Sequence, residues 1–190
     1  PLGVGEINER GIVHDGVEYP LDVLIYATGF KWMGTSSFNM VKGRNGQTLY
    51  EKWRTEGTKT YLGLHSRGFP NLFIVSGPQG GGGQFNFIRV IDAHTDYVTW
   101  MMKTMREKGT GIVDVAAEPE EAYAAHCREA DLRTRPLRDC ISYYNDEGNA
   151  EPGSLAYYGG PEKWHELCHD AQASLDAFIF EPAPVENPND

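Results

Sequence analysis

The residues best placed to do chemistry in this 190-residue chain offer backbone rather than side chains. Gly77 to Phe87 reads GPQGGGGQFNF, with four consecutive glycines, Gly80, Gly81, Gly82 and Gly83, after the apolar run NLFIVS and before a long helical pattern. Glycine removes side chains and loses much conformational entropy on ordering. A run of it is kept where a ligand or another backbone comes close, or as a flexible or closely packed turn. A strand, a glycine turn and a helix start together build an anion or nucleotide site, because the first helical turn offers unpaired N–H groups and partial positive charge. Neither G-x-G-x-x-G nor G-x-x-x-x-G-K-[ST] occurs in the chain, so it carries no pyrophosphate-binding turn and no P-loop.

Other reactive types have plainer expectations. His165, Cys168 and His169 fall at i, i+3 and i+4 on a helical pattern, a spacing that suits a soft metal, but no fourth ligand has suitable spacing and no metal is expected. His94 sits in an apolar stripe and reads as a hydrogen-bonded core histidine. Arg67 and Arg89 could meet a phosphate or a carboxylate and read first as members of ordinary ion pairs, and Trp53, Trp100 and Trp164 as packing anchors.

Composition narrows the partners. A net charge of -10 without a Lys/Arg-rich stretch argues against nucleic acid. No apolar run approaches the roughly 18 residues of a membrane span. Three cysteines, Cys127, Cys140 and Cys168, form no C-x-x-C pair, and the odd count favours a reducing compartment, so a cytoplasmic location is expected. The chain opens PLGVGEINERG without methionine or a signal-type apolar core and reads as an excerpt of something longer.

The elements that must position the glycine turn follow from patterning. Asp15-Gly16 between short β-prone arms predicts a hairpin over Gly11 to Tyr19 with a type I′ turn. Val23 to Tyr26, apolar without alternation, predicts a strand buried on both faces in a parallel sheet, and FPNLFIVS predicts a second one. Lys31 to Arg67 reads as loop. Phe87, Ile91, His94, Val98, Met101 and Met105 trace one helical face, closed by Gly109. Two further helices are signalled by EPEEAYAAHCREA and GPEKWHELCHDAQASL, and DAFIF reads as a last short strand. The acidic, Pro-rich end from Glu181 to Asp190 reads as disordered.

Asp22 followed by Ala27-Thr28-Gly29-Phe30 resembles the ATG signature of two-dinucleotide-domain flavoproteins. GFPNLFIVSGPQGGGGQFNFIRVIDAHTDYVTWM, EKW, TYLGLHSRGFPNLF and YYGGPEKWHEL resemble the C-terminal part of the Baeyer-Villiger monooxygenases. SYYNDEGN is similar to the branch acting on large-ring and aromatic ketones. The resemblance covers essentially the whole chain. It implies an α/β fold, the C-terminal portion of a flavoprotein with parallel-sheet strands, a long helix and a helical tail. It implies FAD and NADPH as cofactors, a ketone and molecular oxygen as substrates, and an N-terminal FAD/NADP-binding part as partner. Thr28, Gly29, Gly77, Pro78, Asn86, Phe87 and Tyr143 are then cofactor-binding, with Tyr143 in the place where other branches carry a Trp on a loop over NADPH. Gly80, Gly81, Gly82, Gly83 and Gln84 border the substrate. Lys31 stands where an acidic residue is common in that family. No catalytic side chain is assigned, since the family's essential arginine and its acidic partner lie upstream of the resembling segment.

The implied organisation is residues 1–30 as hairpin and hinge strand, 31–109 as the end of the FAD-binding domain, 110–180 as a helical region with a mobile loop, and 181–190 as tail. A cofactor-free interaction or dimerisation module and an N-hydroxylating flavin enzyme remain alternatives.

Overall fold

Asp15 and Gly16 both take positive φ, 50° and 77°, as a type I′ turn requires, and His14 pairs with Val17 across the two-residue loop. This places the expected hairpin as β2 (Gly11–His14) and β3 (Val17–Pro20). A further strand, β1 (Glu6–Asn8), extends it to an antiparallel sheet of order β1-β2-β3. The computed structural model describes residues 4–27, 29, 36–81, 86–134, 153 and 155–183. These fall into two units, Pro1–Phe30 and Lys31–Asp190.

In the first unit the expected strand at Val23 to Tyr26 is not formed. Val23 is 74% exposed and Ile25 82%. An uninterrupted apolar run becomes a strand only where neighbouring strands accept its backbone on both sides, and β1 to β3 do not pair with it.

The second unit corrects two more expectations. Lys31 to Arg67 is not all loop: it holds α1 (Ser36–Met40), a 3-10 turn (Arg44–Gly46) and α2 (Leu49–Glu56). Helix α2 starts in a capping box, with Thr48 Oγ1 accepting the Glu51 N–H and Glu51 returning the favour to the Thr48 N–H. The second expected strand, FPNLFIVS, is an irregular connection. Asn71 and Ser76 take φ of 59° and 56°, outside the β region, and isolated backbone bonds run from Asn71 N–H to Val113 O and from Ile74 N–H to Leu64 O. Every strand pairing among the described residues is antiparallel.

The helical expectations hold. α3 runs Phe87–Lys108, capped by Asn86 and ended by Gly109 at φ 66°. α4 spans Ala117–Thr134 and α5 Pro161–Ser174, with Pro161 in its first turn. The DAFIF strand is β5 (Phe178–Glu181), and it pairs antiparallel with β4 (Ile112–Val115), Val113 opposite Phe180. Glu181 thus belongs to a strand, while 184–190 of the expected disordered tail lie outside the described residues.

The main core joins Leu62, Leu64, Met101, Val113, Tyr123, Tyr157 and Trp164, so α3, α4, α5 and β4 close on the 62–65 turn. Each such side chain contributes on the order of 1.5–3 kcal/mol on burial. A smaller cluster holds Leu49, Trp53 and Phe69. Between α2 and α4 a fully buried ion pair does what apolar packing does elsewhere: Lys52 Nζ donates to both oxygens of Glu120 at 2.8 and 3.0 Å, to Ser66 Oγ and to the Arg67 carbonyl. Burial pulls the Lys52 ammonium below its ordinary range, and the Glu120 carboxylate opposes that pull.

Candidate functional site

The turn after NLFIVS is held from the α3 side by one histidine. The Ser76 N–H donates to His94 Nδ1 at 3.0 Å, which leaves the proton on Nε2, and Nε2 donates to the Gly80 carbonyl at 3.0 Å. His94 is fully buried, lies at 5.0 Å between ring centroids from Trp164, and burial lowers its pKa to about 4. It is the neutral, satisfied core histidine that its apolar stripe predicts.

That clasp explains the bareness of the first two glycines. A Cβ on Gly80 would lie 2.7 Å from His94 Cε1 and 3.1 Å from the Gly63 carbonyl, and one on Gly81 would lie 3.1 Å from a Val90 methyl. Gly63, at φ 71°, sits back to back with Gly80, so that a Cβ there would be 2.0 Å from the Gly80 Cα. Gly77 is equally tight against Ile74. Gly82, Gly83 and Gln84 lie outside the described residues, as do Thr28, Lys31 and Tyr143 with its loop. Gly29, at φ 72°, belongs to the first unit.

Beyond the turn, α3 presents its N-terminus. Asn86 Oδ1 accepts the N–H groups of Ile88 and Arg89 at 3.1 and 3.4 Å. Among the described residues the Phe87 N–H, at the first position of the helix, meets no acceptor. Phe87 and Ile88 are 63% and 65% exposed, an unusual pair of apolar side chains at the positive end of a 22-residue helix. Gly80, Asn86 and Arg89 also line a half-open groove of about 930 Å³ between α3 and α5, floored by His94 and Trp164. The structure therefore brings Gly77, Pro78, Gly80, Gly81, Asn86 and Phe87 to one end of α3.

The remaining candidates separate. Arg67 is an ion-pair residue, reaching Glu56 and Glu120 at 3.5 and 3.7 Å. Arg89, against the ion-pair expectation, forms no ion pair among the described residues and lines the groove. On α5, Cys168 is buried with its thiol pushed up to about 12, while His165 and His169 are exposed. All three line the groove between α3 and α5, the cysteine on its buried side, and among the described residues no group of three His, Cys, Asp or Glu is placed to hold a metal ion. Trp53 and Trp164 are buried anchors, donating to Lys59 O and Leu62 O, and Trp100 packs part-buried at the core edge.

Sequence reasoning missed Lys52, Glu120 and Gln79. For Lys52 a signal existed: Leu49, Lys52 and Trp53 at i, i+3 and i+4 put the lysine on the buried face of α2. Glu120 and Gln79 carry no such signal.

No family model matches the chain. A Baeyer-Villiger monooxygenase from Streptomyces coelicolor is 37% identical over 191 residues, covering 96% of this chain and 31% of that protein. The chain belongs to the Baeyer-Villiger monooxygenase family. A phenazine N-monooxygenase from Lysobacter antibioticus is 30% identical over 95% of the chain and 34% of its own length. Solved structures similar to this family member include an oxidized steroid monooxygenase bound to NADP, 28% identical with a TM-score of 0.77, covering 95% of this chain and 34% of that one. A polycyclic ketone monooxygenase from the fungus Thermothelomyces thermophila, 29% identical, superposes with a TM-score of 0.76 over 95% of this chain and 31% of that one. The OTEMO complex with FAD and NADP, 26% identical, gives 0.76 over 93% and 33%. This Baeyer-Villiger monooxygenase family chain thus spans about a third of the length of the relatives it matches. Among its described residues no helix is long and apolar enough to cross a membrane.

Proposed function

We propose that the chain is the C-terminal part of an FAD- and NADPH-dependent Baeyer-Villiger monooxygenase that inserts one oxygen atom beside the carbonyl of a bulky ketone. The observation that carries this reading is the pairing of a side-chain-free turn with the presented N-terminus of α3. The solved relatives bound to NADP, or to FAD and NADP, support the cofactors. In the complete protein Val23 to Tyr26 becomes a strand of a parallel sheet, which buries side chains that are now exposed.

The residues present fit a flavin. A reduced isoalloxazine is anionic at its pyrimidine edge, and the Phe87 N–H, at the positive end of α3, is a donor already fixed in place. Asn86 holds that end of the helix in shape, Phe87 and Ile88 offer apolar cover, and Gly77 and Pro78 belong to the adjoining turn. By the family resemblance Thr28 and Gly29 are assigned to the cofactors as well, and Tyr143 to NADPH. Bound there, NADPH supplies two electrons and the flavin supplies oxygen activation. The net reaction consumes ketone, O₂, NADPH and a proton and yields ester or lactone, NADP⁺ and water.

Bulky ketones are supported by relatives named for steroids and polycyclic ketones and by the glycines. Gly80 and Gly81 direct any added Cβ at His94 and Val90, so of the glycines we propose to border the substrate the test falls on Gly82. Gly82→Leu in the complete enzyme tests this: turnover of bulky ketones falls while small-ketone turnover and FAD content persist. Uniform loss with released FAD overturns the pocket role. Each methylene of misfit is worth about 1–3 kcal/mol in discrimination.

The activity itself is read with ¹⁸O₂. One labelled oxygen in an ester or lactone product is expected. The phenazine N-monooxygenase relative favours a second reading, N-hydroxylation, and label found only in an N-oxide would establish that instead.

A further inference from the structure

Gln79, next to Pro78 in the glycine turn, is 1% exposed and takes a left-handed backbone at φ 60°. A residue other than glycine keeps that conformation only where its surroundings over-determine it. Here every polar group of Gln79 is engaged. Its N–H donates to Leu155 O at 3.1 Å, and its carbonyl accepts the Tyr123 hydroxyl at 2.8 Å. Oε1 accepts both the N–H and the hydroxyl of Thr60 at 2.9 and 2.7 Å. Nε2 donates to Thr58 O at 3.1 Å and to Gly153 O at 2.8 Å. With two donors on one side and two carbonyls on the other, only one orientation of the amide satisfies the site.

Three stretches far apart in sequence meet on this one side chain: Thr58 to Thr60 beyond α2, the glycine turn, and Gly153 to Tyr157, which leads into α5. A second clasp joins the last two, from the Tyr157 N–H to Gly81 O at 3.3 Å. Gly153, at φ 74°, packs against the Arg128 and Cys127 backbone of α4, so it is itself fixed.

We propose that Gln79 is a positioning residue that locks Gly77 to Gly81 to the backbone at Gly153, Leu155 and Tyr157, so that the two segments are stabilised together and the turn holds its place beside the substrate. The functional half of this inference rests on the monooxygenase reading. The locking half rests on the geometry alone, and the experiment separates them.

Two variants of the complete enzyme are made, Gln79→Glu and Thr60→Val. A glutamate keeps the shape but has no donor for Thr58 O and Gly153 O when ionised, whereas its protonated form has one. Thr60→Val removes a single bond to Oε1 and keeps the volume. Hydrogen exchange of peptides 77–81 and 153–157 is expected to quicken together, about tenfold in Gln79→Glu, with residues 95–108 of α3 unchanged. Ester formed per NADPH consumed is expected to fall several-fold in FAD-loaded Gln79→Glu and to recover as the pH is lowered. Thr60→Val moves both readouts the same way, less far. Exchange at 153–157 that ignores the change at Gln79 overturns the lock whatever the activity. Should Gln79→Glu fail to fold or to hold FAD, unchanged exchange and coupling in Thr60→Val overturns it. A wild-type enzyme that oxygenates no ketone sinks the functional reading, while the exchange data still decide the lock.

Discussion

At the scale of single residues, the turn depends on a histidine that must stay neutral. Protonating His94 Nδ1 would set a proton against the Ser76 N–H that it now accepts. His94 and His65 are both buried, with pKa values lowered to about 4 and about 3. Their unfolded value is higher, about 6.5, so between these limits the unfolded chain binds more protons. Their contribution to stability is therefore complete above about pH 6.5 and is lost as the pH falls toward 4 and then 3. Urea unfolding at pH 7.5 and pH 5 is expected to show a lower midpoint at pH 5, by about 2 kcal/mol or more of stability. A flat profile across that range would show that these imidazoles are not desolvated. Gly80→Ala is the complementary test. The new methyl meets His94 and Gly63 backbone, so a loss of about 1–3 kcal/mol is expected from overpacking, where an exposed glycine with negative φ would tolerate the change.

At the scale of elements, α2 is held by its cap and by one buried ion pair. Thr48→Ala removes half of the capping box and is expected to lower stability by about 1 kcal/mol. Lys52→Met is a far larger perturbation, because Glu120 stays fully buried with a charge left to the Arg67 N–H and guanidinium and the Ser66 hydroxyl. A loss of about 3–5 kcal/mol is expected. The double variant Lys52→Met with Glu120→Gln recovers a good part of it, since the uncompensated charge goes too. Thermal unfolding of the four proteins reads the cycle, and additive losses would deny the pairing. Capping and helical periodicity made α3, α4 and α5 legible in sequence. The same signals were present in Thr48-x-x-Glu51 and in Leu49, Lys52 and Trp53, yet the surrounding glycines masked a helix of only eight residues.

At the scale of the whole molecule, the apolar run Val23 to Tyr26 decides what the chain needs. With Val23 and Ile25 so exposed, Val23→Ser with Ile25→Ser is expected to leave the stability of the 190-residue chain within about 0.5 kcal/mol and to raise its solubility. In the complete enzyme the same pair is expected to cost several kcal/mol if these side chains become buried strand residues. Equal effects in both contexts would refute the parallel-sheet role. With no pyrophosphate-binding turn in its sequence, the 190-residue chain by itself is expected to purify without FAD. Tyr143→Ala in the complete enzyme is expected to raise the NADPH requirement or the fraction of NADPH consumed without product, read from KM and from ester formed per NADPH. Unchanged values would remove Tyr143 from the nicotinamide.

Sequence alone determined what depends on neighbours along the chain. The Asp15-Gly16 turn, the Gly109 stop and the stripe carrying His94 are settled by φ preference and 3.6-residue periodicity, and the quoted motifs carried the family. Tertiary structure decided what depends on partners distant in sequence. The apolar runs at 23–26 and 70–76 do not become strands without edges to pair with. Gly80 and Gly81 are bare because α3 presses His94 and Val90 against them. Lys52 finds Glu120 across 68 positions, and Gln79 finds Thr60 and Gly153 across 19 and 74. A hydrogen bond between such distant residues leaves no local periodicity to read, since its cost and its gain arise only once folding has removed water from both partners.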